Sequence, residues 1–237
     1  MSALSAKHAR TLPLSIKAKT AIACTAVATL AVSGAALAYL TDTDSVNNRF
    51  NVVSALDIEI VEETWDSHTD SNADGIPDIA DAVVPAQAIA KDPAIRNNDG
   101  GSAWVFMEAT VPTRTVSVVN RSGEIEDPEL TKLFNYDMKP GWKMIERDVP
   151  GEDSQTSTSL FAWEEPLEPG ETTTPLFDEV VFANLADGQL GGEGGSATEL
   201  SVDITAYGIQ SNGFDTYEEA WEAFAAQTAS SDQTSSN

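Results

Sequence analysis

An apolar run near the N-terminus most constrains what this chain can become. Residues 21–40 read AIACTAVATLAVSGAALAYL, follow four basic residues and no acidic one, and contain Ala36-Leu37-Ala38 near their end. A positive segment, an apolar segment and a small-x-small site are typical of a secretory signal, which predicts a signal peptide over residues 1–38 and cleavage between Ala38 and Tyr39. An uncleaved membrane helix stays an alternative, because about 20 apolar residues span a bilayer. With cleavage, we expect a secreted, extracellular protein.

The part of the chain that follows this leader is strongly acidic. The chain holds 13 Lys and Arg against 38 Asp and Glu, and four of the basic residues precede Tyr39, so that nine remain and the formal charge of the rest is −29. Nucleic acid is excluded as a natural partner, because binding to phosphates requires clustered basic residues. We expect most of these carboxylates to form a solubilising surface that attracts cations. Contact with a membrane is expected only through an uncleaved leader.

Side chains that commonly carry catalysis are scarce. Cys24, the only cysteine, and His8 lie in the leader, which leaves His68 as the only histidine after it. A single histidine cannot form the paired-histidine motif of zinc proteases, and no H-E-x-x-H occurs. Neighbouring carboxylates such as Glu164 and Glu165 are expected by chance in so acidic a chain. We therefore expect no enzymatic activity.

Alternating apolar and polar runs predict an all-β domain. Residues 51–62 and 199–210 alternate most clearly, residues 103–111 are the best strand candidate, and N-N-D-G-G at 97–101 is the strongest turn signal. About eight to ten short strands separated by turns predict an antiparallel β-sandwich or jelly roll with loop insertions over residues 51–227.

Two short helices are expected beside these strands. Residues 127–135 begin with Asp-Pro, the usual cap and first helical position, and residues 217–227 carry Tyr217, Trp221 and Phe224 at helical spacing. The Ser, Thr, Asp and Gln of residues 228–237 predict a disordered tail.

An acidic loop over residues 66–81 has the spacing of a calcium site. Residues 70–81 read D-x-N-x-D-G-x-x-D-x-x-D, which places an oxygen donor at each ligand position of an EF-hand loop and Gly75 at the sharp turn. Position 12 holds Asp in place of the usual bidentate Glu, and no pair of flanking helices is evident. The predicted ligands of calcium are Asp70, Asn72, Asp74, the carbonyl of Ile76, Asp78 and Asp81. A solvated acidic turn without a metal is the alternative.

The leader and the residues around it resemble the TasA/camelysin family of exported Gram-positive proteins. The matching motifs are A-Y-L-T-D-T-D-S at 38–45, N-R-F-N-V at 48–52, I-A-K-D-P-A-I-R-N at 89–97, L-E-P-G-E-T at 167–172 and I-T-A-Y-G-I-Q at 204–210. They run in order over most of the chain, and the junction of leader and T-D-T-D is the most specific. The loop at 70–81 also resembles the D-x-D-x-D-G-I-P-D loops of exported calcium-binding repeats.

This resemblance implies a jelly-roll subunit of biofilm matrix fibres that self-associates by donating its freed N-terminus to the sheet of the next subunit. On this chain the donated segment is residues 39–50, with Leu40, Val46 and Phe50 as the side chains expected to fill pockets. An ordinary first strand is the alternative for this segment, and an accessory matrix subunit is a possible further partner. A monomeric adhesin or carbohydrate-binding module remains a second functional class, because Trp104, Trp142 and Trp163 can stack on sugars if they are exposed.

Overall fold

The computed structural model describes residues 41–45, 56–190 and 199–234. These residues form eleven strands and two helices. The strands are β1 Thr41–Ser45, β2 Ile58–Val61, β3 Ala88–Ala90, β4 Ala94–Asn97, β5 Ala103–Val116, β6 Glu129–Lys132, β7 Phe134–Asn135, β8 Trp142–Pro150, β9 Thr156–Trp163, β10 Glu179–Phe182 and β11 Asp203–Gln210. The helices are α1 Glu63–Asp66 and α2 Tyr217–Thr234. Of the described residues, 41–45, 56–190 and 199–225 belong to one compact unit, and residues 226–234 of α2 belong to a second.

The described strands pair antiparallel in three sheets, which confirms the all-β, sandwich-like class. The main sheet has six strands in the order β1-β11-β5-β9-β8, with β6 pairing the far end of β5. A three-stranded sheet has the order β3-β10-β7, and β2 pairs with β4 alone. The predicted runs at 103–111 and 199–210 correspond to β5 and β11, which pair over eight positions.

The long strand β5 is the central strand of the main sheet, and both of its faces are apolar. Alternate residues from Ala103 to Val111 face the main core, which also contains Leu56, Ile95, Phe161 and Phe177. The residues between them, Trp104 and Phe106, belong to a second cluster on the opposite face. A strand buried on both faces reads as a continuous apolar run, as the sequence A-W-V-F-M does here.

The first part of helix α2, residues 217–225, covers that second face of the main sheet. Its Ala220 and Phe224 are buried there, 0% and 4% exposed. Trp221 packs against Phe106, with ring centroids 4.9 Å apart, and stacks on Phe224 at 5.3 Å. The predicted aromatic spacing therefore does place one face of this helix on the sheet. Among the described residues, no helix is long and apolar enough to cross a membrane.

The prediction of a helix over residues 127–135 is wrong. The segment contains β6, which pairs with the end of β5 from Thr113 to Val116, and β7, which pairs with β10. Leu133 is fully buried, whereas Leu130 remains 55% exposed, so the expected apolar helix face does not exist. A helix of two turns is marginal in water, and the pairing offered by two existing strands outweighs its local propensity.

The C-terminal end also differs from the expectation. Helix α2 continues to Thr234, whereas the composition of residues 228–237 predicts disorder. The helix starts where predicted, and Glu219 completes a capping arrangement, because the Asp215 amide donates to its carboxylate at 3.0 Å. No Gly or Pro follows that would end the helix at Gln227.

Candidate functional site

The first described strand lies at one edge of the main sheet. Strand β1 pairs with β11 in antiparallel register, from Thr41 opposite Ile209 to Ser45 opposite Thr205. No other strand of the described ranges pairs with β1. The T-D-T-D motif that follows the predicted cleavage site is therefore an edge strand, paired within its own chain.

The opposite edge of the main sheet is irregular. Strand β8 pairs with β9, but the register shifts twice, between Met144 and Glu146 and between Glu146 and Val149. Asp148 has a φ of 50°, in the left-handed region. Lys132 donates to Asp148 at 2.9 Å across this bent part of the strand. Bulges and charged side chains are the features with which proteins prevent pairing at a sheet edge.

Gly208 in β11 lies against Leu56 and Ile58, which follow β1 in the sequence. A Cβ built on Gly208 would lie 2.8 Å from Cδ2 of Leu56 and 3.1 Å from Cδ1 of Ile58. Leu56 and Ile58 are 1% and 4% exposed and belong to the main core, so an added methyl group would press on packed side chains. Glycine inside a strand often marks such a close approach. The sequence contains this signal within the matched motif at 204–210, but a glycine in a strand does not by itself show which segment lies against it.

The remaining predicted residues of the N-terminal segment lie outside the described residues. This holds for the cleavage site, Ala38 and Tyr39, and for the expected pocket-filling side chains Leu40, Val46 and Phe50. Of the predicted donor segment, residues 39–50, the structure describes only the backbone of β1.

The acidic loop is organised by its own carboxylates. Asp70 accepts hydrogen bonds from the amides of Ala73 at 2.7 Å and Gly75 at 2.9 Å. Gly75 has a φ of 90°, a conformation that favours glycine and that the turn here requires. Asp74 accepts from the amide of Ile76 at 2.9 Å. The first half of the predicted calcium loop thus forms a tight turn around Asp70.

Two further predicted ligands are engaged by polar neighbours. Asp78 accepts from the Ser71 amide at 2.8 Å, the Ser71 hydroxyl at 2.7 Å and the Thr69 hydroxyl at 2.9 Å. The amide nitrogen of Asn72 donates to Asp74 at 2.9 Å and to Asp81 at 3.4 Å. The loop therefore brings Asn72, Asp74 and Asp81 into contact and holds Asp78 in a separate set of hydrogen bonds.

The electrostatics of the loop reflect these two environments. Hydrogen bonds from the Ser71 amide and hydroxyl and from Thr69 lower the pKa of Asp78 below its ordinary value. The pKa of Asp81 is raised, first by loss of hydration and then by the negative charges of Asp74, Asp78 and Asp70. Those carboxylates are thus near enough to repel one another, and a bound cation would relieve that repulsion.

The loop has the donor atoms that calcium prefers, but they are not arranged around a common point. Its donors are all oxygens, which is the set that calcium prefers. Within the described part of the chain, however, no three His, Cys, Asp or Glu side chains are arranged closely enough to hold a metal ion. Asp78 already accepts three hydrogen bonds from Ser71 and Thr69, which would compete with an ion for its oxygens. The calcium site stays a prediction.

The tryptophans that were candidates for stacking on sugars are mostly in the interior. Trp104 and Trp142 are 4% and 3% exposed. Trp163 packs edge-on against Trp142, with ring centroids 5.4 Å apart, and lies against the main core. The Trp142 indole nitrogen donates to the carbonyl of Thr174 at 2.9 Å. These three residues therefore serve the packing of the domain and do not form an exposed aromatic platform.

Comparisons with protein-family models, with curated proteins and with solved structures find no match to this chain.

Proposed function

We propose that the chain is a secreted, non-catalytic structural protein that assembles into extracellular matrix fibres by donating its N-terminal strand to the next subunit. The observation that carries this proposal is the position of β1, which lies within seven residues of the predicted cleavage site and at the edge of the main sheet. A strand at an edge is the one that can leave its sheet without breaking the pairing of any other strand. Addition of a strand to a sheet edge is a common mode of recognition.

Two further features support the proposal. The motifs from the leader to residue 210 resemble the TasA/camelysin family, whose members form biofilm matrix fibres. The charge of −29 after the leader keeps subunits apart at low ionic strength, so assembly would need a specific contact and would strengthen with salt or a divalent cation. Calcium bound at the acidic loop is the cation that we propose, because extracellular modules bind it in the range of about 10⁻⁴–10⁻³ M.

Electron microscopy of the protein that begins at Tyr39, in millimolar Ca²⁺, tests this function. We expect filaments, and we expect deletion of residues 39–50 to abolish them while the circular dichroism of the domain is retained. Asp42→Pro and Thr43→Pro form a second pair of variants. Successive residues of a strand direct their amides to opposite sides, so one of these two amides must face β11, and proline at that position removes the hydrogen bond. Thr43→Val, which preserves strand propensity, is the matched control and should assemble.

Other outcomes would assign the protein differently. A parent protein that remains monomeric in all conditions, including with other exported proteins of the same cells, would refute the assembly function. Filaments that appear only with such a protein would identify an accessory matrix subunit. Binding to a glycan array by a stable monomer would favour the adhesin class.

A further inference from the structure

Strand β11 is the best acceptor that the described strands offer for a donated segment. It pairs with β5 along all eight of its residues, so its inner side is held by the middle of the sheet. Among the described strands, only β1 pairs with its outer side, over residues 205–209. Removing β1 would therefore expose a regular row of main-chain donors and acceptors on a strand that is itself firmly placed.

The edges of β8, β3 and β7 are poor acceptors. The edge strand β8 is interrupted by two register shifts, and its last five residues are exposed. The edge strands β3 and β7 of the second sheet have three and two residues, too few to hold a partner strand. Because irregular or very short edges resist pairing, these three strands accept a donated segment less well than β11, which offers five regular positions.

We infer that the donated strand enters at β11 of the receiving subunit in the register that β1 has within its own chain, so that Thr41 to Ser45 of one copy lie opposite Ile209 to Thr205 of the next. This inference rests on the proposed function. The intrachain pairing is then a closed form of the subunit, and assembly exchanges the same five-residue pairing between copies. Such an exchange is a domain swap that repeats head to tail, which produces an open fibre.

We expect the register to be the same between copies, because both faces of β11 are already packed against other parts of the domain. Ala206 and Ile204 face the main core, and Gly208 lies beneath Leu56 and Ile58. On the opposite face, Tyr207 packs against Trp221 of α2, with ring centroids 5.9 Å apart. A slip of one residue would turn every side chain of the incoming strand to the other face of the sheet.

The closed form also regulates assembly. As long as β1 occupies the edge of its own β11, an incoming strand cannot pair there. The main-chain hydrogen bonds of β1 are broken before they form again in the new partner, and each contributes about 0.5–1.5 kcal/mol. We therefore expect assembly to need release of β1 and to be slower than simple addition to an open edge.

A cysteine pair at Ser45 and Thr205 tests the register. These residues lie directly opposite each other, and opposite residues of antiparallel strands have Cα atoms about 4.5–5.5 Å apart, which a disulfide spans. The protein that begins at Tyr39 has no other cysteine, because Cys24 precedes it. Monomers of Ser45→Cys/Thr205→Cys oxidised before assembly should close an intrachain disulfide and lose all filament formation, and a reducing agent should restore it.

The same variant gives the decisive reading after assembly. Filaments formed under reducing conditions and then oxidised should run as a ladder of covalent oligomers on a denaturing gel. The control Thr43→Cys/Thr205→Cys is offset by two residues, about 7–8 Å apart between diagonal neighbours, and should give no ladder.

The outcomes separate the two proposals. Filaments without a ladder, or a ladder from the offset control alone, would overturn the register at β11 and leave the fibre function standing. Filaments from monomers whose intrachain disulfide is closed would overturn the closed form as well. Absence of filaments from the parent protein would overturn the proposed function, and this inference with it.

Discussion

Lys91 and Glu62 form a buried ion pair that joins two segments 29 residues apart. The Nζ atom of Lys91 lies 2.7 Å from Oε1 and 3.0 Å from Oε2 of Glu62, and the two side chains are only 9% and 5% exposed. The same ammonium group lies 4.8 Å from the centre of the Trp65 ring. Asp92, the next residue, accepts from the amides of Thr64 and Trp65 and so holds helix α1 in place. This cluster fixes the start of the acidic loop on the domain.

We expect Lys91→Met to lower the free energy of unfolding by about 3–5 kcal/mol, because it leaves the Glu62 carboxylate buried without a partner. Lys91→Met combined with Glu62→Leu should recover most of that loss, because the uncompensated charge is then gone. Urea denaturation measures both effects. Lys132→Met is the control, since its pair with Asp148 is 37% and 41% exposed and should contribute less than about 1 kcal/mol. Equal losses at Lys91 and Lys132 would contradict this account.

Gly208→Ala should destabilise the domain by about 1–3 kcal/mol, because the new methyl group would overlap Leu56 and Ile58 in the core. Leu56→Ala added to Gly208→Ala should show non-additivity, because the smaller side chain makes room for the methyl group. Thermal and urea unfolding provide the measurement. Gly100→Ala is the matched control, since nothing lies within 4 Å of its added Cβ, and its effect should be small. Strictly additive losses at residues 56 and 208 would disprove the overlap.

Glu108→Gln should stabilise the protein at neutral pH and lose that advantage in acid. Burial raises the pKa of Glu108, the negative charge of Glu146 adds to this, and a hydrogen bond from Tyr207 opposes it. A carboxyl group with a raised folded pKa contributes most to stability below its unfolded pKa, and that contribution falls as pH rises through the folded pKa. The gain from Glu108→Gln, followed by urea unfolding from pH 4 to pH 7, should therefore grow with pH. Glu124→Gln, at an exposed position, should have no such trend.

Millimolar Ca²⁺ should raise the melting temperature, and EDTA should reverse the rise, because the ion would screen the mutual repulsion around Asp81. Asp70→Asn should abolish the effect of calcium, whereas Asp187→Asn, in a different loop, should preserve it. Scanning calorimetry with and without the ion is the measurement. A melting curve that neither Ca²⁺ nor EDTA changes would remove calcium from the description of this protein.

Local patterns predicted the long elements well. The alternation at 199–210 and the apolar run at 103–111 became β11 and β5, and the aromatic spacing at 217–224 became the covered face of α2. The wrong prediction at 127–135 also came from a local pattern. A short segment that begins with Asp-Pro has a real but weak helical propensity. Pairing of that segment with the ends of β5 and β10 depends on strands distant in sequence.

The candidate site was predictable only in its residue types. Spacing identified the oxygen donors of residues 70–81, but it did not reveal that Asp78 bonds to Thr69 and Ser71 while Asn72 joins Asp74 and Asp81. These contacts depend on how the loop closes. The turn at Gly75 and the fixed start of the loop at α1 together determine that closure.

By itself, the sequence determined the leader-like N-terminus, the strong negative charge, the β class and the composition of the acidic loop, because each follows from short-range patterns or counts. Tertiary structure alone decided that Lys91 meets Glu62 and that β1 lies against β11. The physical reason is that the local sequence of a strand or a charged residue does not specify which distant segment it pairs with. Partners are chosen by the free energy of burying and pairing surfaces that lie far apart in the chain, here residues 41–45 and 205–209.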